Sequence, residues 1–164
     1  MSVTVTYLAK ATAVETLETN VPAAAAANRK VTHSLFDTAK TLDGSSTPPA
    51  TLVAAFEKAL AAGVATIDLR ALVGTNNVPV DGNGLRVQVL RIRAKSTNAN
   101  PITIAKGASN GYDGFGASFS LTLAPGAEQQ LFTNDGGGDI SGTNKTLDLT
   151  GTLTQSLEVE IILG

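Results

Sequence analysis

Apolar and polar residues alternate with a period of two along much of this chain. The alternation covers residues 3–7, 65–70, 102–105, 115–123 and 157–163. It is typical of strands that bury one face, because successive side chains of a strand point to opposite sides. Gly, Asn and Pro turns separate these segments at intervals of roughly 8–15 residues, as in sandwiches, jelly rolls and small barrels. We therefore predict an all-β fold, an antiparallel β-sandwich or jelly roll.

The strongest strand pattern, residues 85–94, changes phase in its middle. Alternate apolar residues lie on one face up to Val89 and on the opposite face from Leu90 onward. A β-bulge would explain the change, and so would a central strand that is covered on both faces at different points. Both are features of a sandwich.

Residues 51–62 fit two patterns. Leu52, Phe56 and Leu60 recur at helical spacing, and Gly63 would close the helix. The same positions also fit one face of a strand, which tertiary packing can impose on good helix formers. A short helix and a strand are equal alternatives here.

The N-terminal region has little apolar surface to bury. Five consecutive alanines occupy residues 23–27, whereas ordering each residue costs about 1–2 kcal/mol of conformational entropy. Residues 1–30 are interpreted either as an extended arm or as a surface loop or single helical turn. We predict a single β-sandwich domain over residues 31–164, and the strongest internal break is the turn-rich segment 43–49.

Composition excludes several classes of function. The chain has 12 basic and 14 acidic residues, so it lacks the positive field that attracts nucleic acid. It contains no Cys, which rules out disulfides and thiolate chemistry. No apolar run approaches the roughly 20 residues that a membrane span needs. We expect a soluble protein that binds neither nucleic acid nor membrane.

Residues with catalytic or ligand-binding chemistry are few. The one histidine, His33, has no triad motif nearby and is expected to be structural. The acidic loop 134–139 lacks the spacing of a calcium-binding loop, so a solvated hairpin tip is preferred to calcium binding. The glycine-rich segment 111–116 lacks the spacing of a phosphate-binding loop and is interpreted as a turn. We predict a non-enzyme with no catalytic, cofactor or metal site.

A small basic cluster consists of Arg86, Arg91, Arg93 and Lys95. The phase change divides these residues between two faces, and no aromatic residues lie among them. Salt bridges between subunits are therefore a plainer use than nucleic-acid binding. The glycosylation sequon at residues 144–146 is a short pattern that often arises by chance.

Residues 65–164 contain an ordered series of strand and turn phrases. They are Thr66-Ile67-Asp68-Leu69, residues 84–94, Asn100-Pro101-Ile102-Thr103-Ile104, Gly107-Ala108-Ser109-Asn110 and Leu123-Ala124-Pro125-Gly126. This series resembles small structural proteins of tailed bacteriophage virions, particularly capsid decoration or cement proteins. Residues 1–50 lie outside the likeness.

The resemblance implies a β-sandwich or jelly roll that forms homotrimers and binds the major capsid protein between capsomers. It also implies a location on the capsid surface, after assembly in the host cytoplasm. No catalytic residue is carried over.

The alternative is a carbohydrate- or receptor-binding sandwich module of a phage tail or fibre. Sugar sites usually stack an aromatic ring on the ligand, and here Tyr112 or Phe115 would have to supply it.

Overall fold

The computed structural model describes residues 3–9, 13–17, 29–33, 38–74, 77–133 and 137–164. These residues contain fourteen β-strands and no α-helix, which confirms the predicted all-β fold. The strands are β1 (Thr4–Ala9), β2 (Ala13–Leu17), β3 (Arg29–His33), β4 (Thr38–Asp43), β5 (Leu52–Ala59), β6 (Val64–Asp68), β7 (Leu72–Val73), β8 (Pro79–Val80), β9 (Val87–Ala94), β10 (Ile102–Lys106), β11 (Ser120–Leu123), β12 (Glu128–Phe132), β13 (Thr146–Thr150) and β14 (Ser156–Leu163).

The chain divides into two compact units, Thr4–Leu42 and Asp43–Gly164. In the smaller unit β1 lies beside β4, and β2 pairs antiparallel with β3, so the described residues of this unit form two two-stranded sheets. The arm predicted over residues 1–30 stays a prediction, because the alanine run 23–27 lies outside the described residues.

The larger unit is a sandwich of two four-stranded sheets. Sheet I has the strand order β12-β9-β14-β5, and sheet II has the order β11-β10-β13-β6. All neighbouring strands in both sheets are antiparallel. Side chains from both sheets, such as Ile92, Ile161, Ile104 and Leu149, belong to one buried core. Each contributes about 1.5–3 kcal/mol through burial.

Six connections cross between the two sheets. Four of them lie at one end of the sandwich and join β5 to β6, β9 to β10, β11 to β12 and β13 to β14. The other two, from β6 through β7 and β8 to β9 and from β12 to β13, lie at the opposite end. In sheet I, Ala59 at the end of β5 pairs with Ser156 at the start of β14. In sheet II, Val64 at the start of β6 pairs with Thr150 at the end of β13. We call the end with four connections the crossing end, formed by residues 60–63, 95–101, 124–127 and 151–155.

Residues 52–59 form strand β5, so the strand alternative is confirmed and the helix alternative is wrong. The strand pairs with β14 along its whole length, from Leu52 opposite Leu163 to Ala59 opposite Ser156. Its inward residues join the core, as Ala54 does. The pairing and burial outweigh the helix propensity of Ala, Glu and Lys in this segment.

A β-bulge in β9 explains the phase change seen in the sequence. Val87 and Val89 pair with successive residues of β14, which leaves Gln88 as the extra residue. Val87 and Leu90 both face the core, although they are three residues apart. The bulge thus places Val87 on the same face as Leu90, Ile92 and Ala94.

The bulge is held by hydrogen bonds from both sides. The hydroxyl of Tyr112, a fully buried residue, accepts a hydrogen bond of 3.1 Å from the Val87 N–H. The Gln88 side-chain nitrogen donates to the carbonyl oxygens of Pro48 and Pro49, each at 3.1 Å. Buried polar groups need such partners because leaving one unsatisfied costs about 1–3 kcal/mol.

Tyr112→Phe should lower the free energy of unfolding by about 1–3 kcal/mol, because the Val87 N–H loses its acceptor. Urea denaturation would measure the change. Thr122→Val is the control, since it removes only an exposed hydroxyl that lies 2.8 Å from Thr103, and we expect a change within about 0.5 kcal/mol. Equal effects of the two substitutions would contradict this role of Tyr112.

Candidate functional site

The crossing end carries almost no charge. Its four connections read LAAG, KSTNANP, APGA and GTLTQ. The single charged residue among them, Lys95, forms an ion pair with Glu57 of β5 at 2.5 Å. The remaining residues of the four connections are apolar or neutral. Arg93 and Glu158, which share a surface pocket with Lys95, form an ion pair with each other.

An apolar tip projects from this end. It consists of Ala62, Val64 and Leu153. Leu153 is 76% exposed, more than the other exposed large hydrophobic residues that the structure describes, and Val64 is 55% exposed. The Gly63 N–H donates to the Leu153 carbonyl oxygen at 2.9 Å, which joins the two connections that form the tip.

The backbone of the tip is strained. Ala62 and Gly63 have φ values of 51° and 85°, as in a type I′ turn, and Leu153 has a φ of 49°. A left-handed conformation costs a residue with a Cβ atom about 1–2 kcal/mol. The other positive-φ residues with side chains in the described part of the chain are Asn77 and Asn110, and asparagine tolerates this region. Leu153 therefore occupies a position to which its side chain is poorly suited.

A polar network holds the strained connection in place. Gln155, which is buried, accepts a hydrogen bond of 2.6 Å from the Thr152 N–H and donates to the carbonyl oxygen of Asn100. Asn98 donates to the Ser156 carbonyl oxygen at 2.9 Å and accepts from its N–H at 3.0 Å. The tip is thus preorganised, which reduces the entropy that binding would cost.

Leu153→Asn should raise the free energy of unfolding by about 1 kcal/mol, because Asn tolerates the left-handed conformation. Leu153→Ala is the control: it shortens the exposed side chain but keeps the Cβ strain, so it should change little. Urea denaturation in dilute protein would compare them. A loss of stability in the Asn variant would show that the leucine side chain supports the fold.

The outer face of sheet I carries a lattice of alternating charge. Arg91 pairs with Glu128 at 2.6 Å and with Glu160 at 3.4 Å, and Arg93 pairs with Glu158. Because the bulge changes the phase of β9, Arg86 also points away from the core. The prediction that the phase change divides the basic residues between two faces is therefore wrong.

The basic residues find carboxylate partners within the chain. In addition to the pairs in the lattice, Arg86 forms an ion pair with Asp139 at 2.6 Å at the opposite end of the sandwich. Exposed pairs of this kind contribute about 0–1 kcal/mol each. The charged residues of this lattice are paired with one another, so the lattice offers little unpaired charge to a ligand.

Glu128→Gln should lower stability at neutral pH by less than about 1 kcal/mol. The hydrogen bond from Arg91 lowers the pKa of Glu128 below its ordinary value of 4.5, so the folded state binds the proton less tightly than the unfolded state. The stabilisation is present above pH 4.5 and is lost as the pH falls through the lowered pKa. The difference between the denaturant midpoints of the variant and the wild type should shrink as the pH is lowered from neutral to acidic. A difference that stays constant with pH would contradict this.

An aromatic groove lies at the end of the sandwich opposite the crossing end. Its volume is about 360 Å³, and it is lined by Phe115, Phe119, Leu131 and Phe132 together with Gly114 and Thr133. The strand pattern predicted over residues 115–123 forms a strand only from Ser120, because the chain turns at Gly116, where φ is 106°. The two phenylalanines before β11 therefore line the groove.

The groove fits the sugar-binding alternative poorly. The Tyr112 ring is fully buried and meets Phe115 edge-on at 5.5 Å, so the prediction that it could stack on a ligand is wrong. Phe115 does line the groove, but the hydroxyl there, from Thr133, donates to the Val87 carbonyl oxygen. Ligand sites need several polar groups to fix orientation, and this groove has few.

The other residues singled out from the sequence do not come together at one site. His33 ends β3 and pairs with Ala13 of β2. In the loop 134–139, residues 134–136 lie outside the described residues. Segment 111–116 connects β10 to β11, and its glycines surround no helix N-terminus. The described part of the chain contains no cluster of three His, Asp or Glu residues that could hold a metal ion.

The sequon asparagine is engaged in the fold. The Asn144 side chain accepts a hydrogen bond from the Asp113 N–H at 2.9 Å and donates to the Asp139 carbonyl oxygen at 3.0 Å. A glycan on this nitrogen would displace the second bond. Among the described residues, no helix is long and apolar enough to span a bilayer.

No known protein family, curated protein or solved structure matches this chain.

Sequence reasoning missed the crossing end. Its signal was present, because the four connections are visibly poor in charge. Which connections share one end depends on strand pairing, which the alternation of residues does not reveal.

Proposed function

We propose that this chain is a structural virion protein that decorates and reinforces a bacteriophage capsid. It binds the major capsid protein, acts as a homotrimer and is not an enzyme. It joins the capsid surface after assembly in the host cytoplasm. The observation that carries the proposal is the small separate unit Thr4–Leu42.

This unit has little means of stabilising itself. Its described strands form two-stranded sheets, and an isolated two-stranded ribbon is marginally stable in water. Below about 40 residues, chains usually need disulfides, metals or oligomerisation to fold. The chain has no Cys. A protein surface outside the unit is a further source of stability, and this need favours an assembly protein.

The strand order of the larger unit supports the same proposal, and we propose that it is a jelly roll. Eight strands form two four-stranded sheets, and six of the seven steps between successive strands of the sandwich pass from one sheet to the other. A jelly roll consists of eight strands in two sheets, and the fold is common in viral capsid proteins and lectins. Because fold alone does not define function, the proposal depends on the binding experiment.

The experiment uses capsids from phage that lack the gene, to which the purified full chain is added. Wild-type protein should co-sediment with them at a fixed stoichiometry and raise the temperature at which they disrupt. Leu8→Asp should weaken binding about tenfold or more, because Leu8 is 57% exposed in β1 of the small unit.

Val78→Asp is the matched control. Val78 is 59% exposed but belongs to the larger unit, so this variant should bind as wild type does. Failure of the wild type to bind capsids would refute the proposed function. Equal binding by both variants would refute the role given to the small unit.

A further inference from the structure

We propose that the crossing end is a homotypic interface, in which the apolar tip packs against the crossing end of a second copy of this chain. The inference names the surface of self-assembly and rests on the proposed function only in taking the chain to be an oligomer.

Charge excludes several other surfaces of a second copy as the partner surface. Burying an unpaired charge is costly, so a partner for the uncharged tip must itself be uncharged. The outer face of sheet I carries the charge lattice, and the opposite end of the sandwich carries three ion pairs. These are Arg86–Asp139, Arg70–Asp81 and Lys145–Asp68. The crossing end of another copy offers the required chemistry, and interface cores are likewise depleted in charge.

Leu153 gives the tip an anchor that the monomer does not need. Its side chain is 76% exposed and its φ is 49°, so in the isolated chain it adds strain without burial. Burial in an interface would recover about 1.5–3 kcal/mol per copy. Because the polar network around Gln155 fixes the connection, little further ordering is needed on binding.

Small residues around the anchor allow two backbones to approach. Ala61, Ala62, Ala99 and Gly126 are all exposed at this end. Copies of the crossing end that meet around a symmetry axis must carry no groups that repel one another. The crossing end meets this condition, because it combines an exposed leucine with small residues and its one charged residue, Lys95, is paired with Glu57.

Two substitutions separate association from folding. Ala62→Asp creates an Asp-Gly pair, which type I′ turns prefer, so it adds a charge to the tip without harming the fold. Leu153→Asn removes the anchor and relieves strain. Asn110→Asp is the matched control, because it adds the same charge at a φ of 53° at the opposite end.

Sedimentation velocity of the full chain, from about 1 to 100 µM, measures self-association, and thermal unfolding measures stability. We expect the wild type and Asn110→Asp to associate alike. Both tip variants should raise the dissociation constant about tenfold or more, with unfolding temperatures in dilute protein no lower than that of the wild type. A wild type that stays monomeric, or tip variants that associate as it does, would overturn the inference.

Capsid binding by the same proteins separates this inference from the proposed function. A monomeric wild type that still coats capsids would refute the homotypic interface and support decoration. A wild type that associates through the tip but does not bind capsids would support the interface and refute decoration.

Discussion

The four sheet-changing connections of the crossing end are the constraint on which the rest of this structure depends. Antiparallel pairing places the ends of β5 and β13 beside the starts of β14 and β6, so these connections meet at the same end of the sandwich. The crossings close the core and bring together four connections that are distant in sequence. They also impose tight geometry: a Cβ atom on Gly63 would lie 2.7 Å from the Gly151 carbonyl oxygen.

The bulge at Gln88 is the second constraint, because it determines which side chains of β9 point to each face of sheet I. Without it, the apolar residues of β9 on either side of Gln88 would point to opposite faces of sheet I. With the bulge, Val87 and Leu90 both face the core. The arginines of β9 then lie on the outer face, where they pair with glutamates of β12 and β14. The same local feature therefore contributes to both the core and the charge lattice.

Strands with clean alternation, such as β6, β10 and β14, were predictable because local pattern and burial agree there. The helix and strand patterns of residues 51–62 could not be separated, because the deciding pairs join residues such as Ala59 and Ser156 across the sheet. The arginines were assigned to the wrong faces of the sheet, because one extra residue in a strand moves every later side chain to the opposite face. The low charge of the four connections was visible in the sequence, but their meeting at one end and the left-handed conformation of Leu153 were not, since both depend on tertiary pairing.

The central claim is that the chain functions by assembling with protein surfaces, with its small unit stabilised by a partner. Amide hydrogen exchange of the full chain, free and bound to capsids, tests this most directly. The account predicts that amides of Thr4–Leu42 gain protection on binding, while those of the central strands β9 and β14 are protected in both states. Unchanged exchange throughout Thr4–Leu42 on saturated capsids would contradict it.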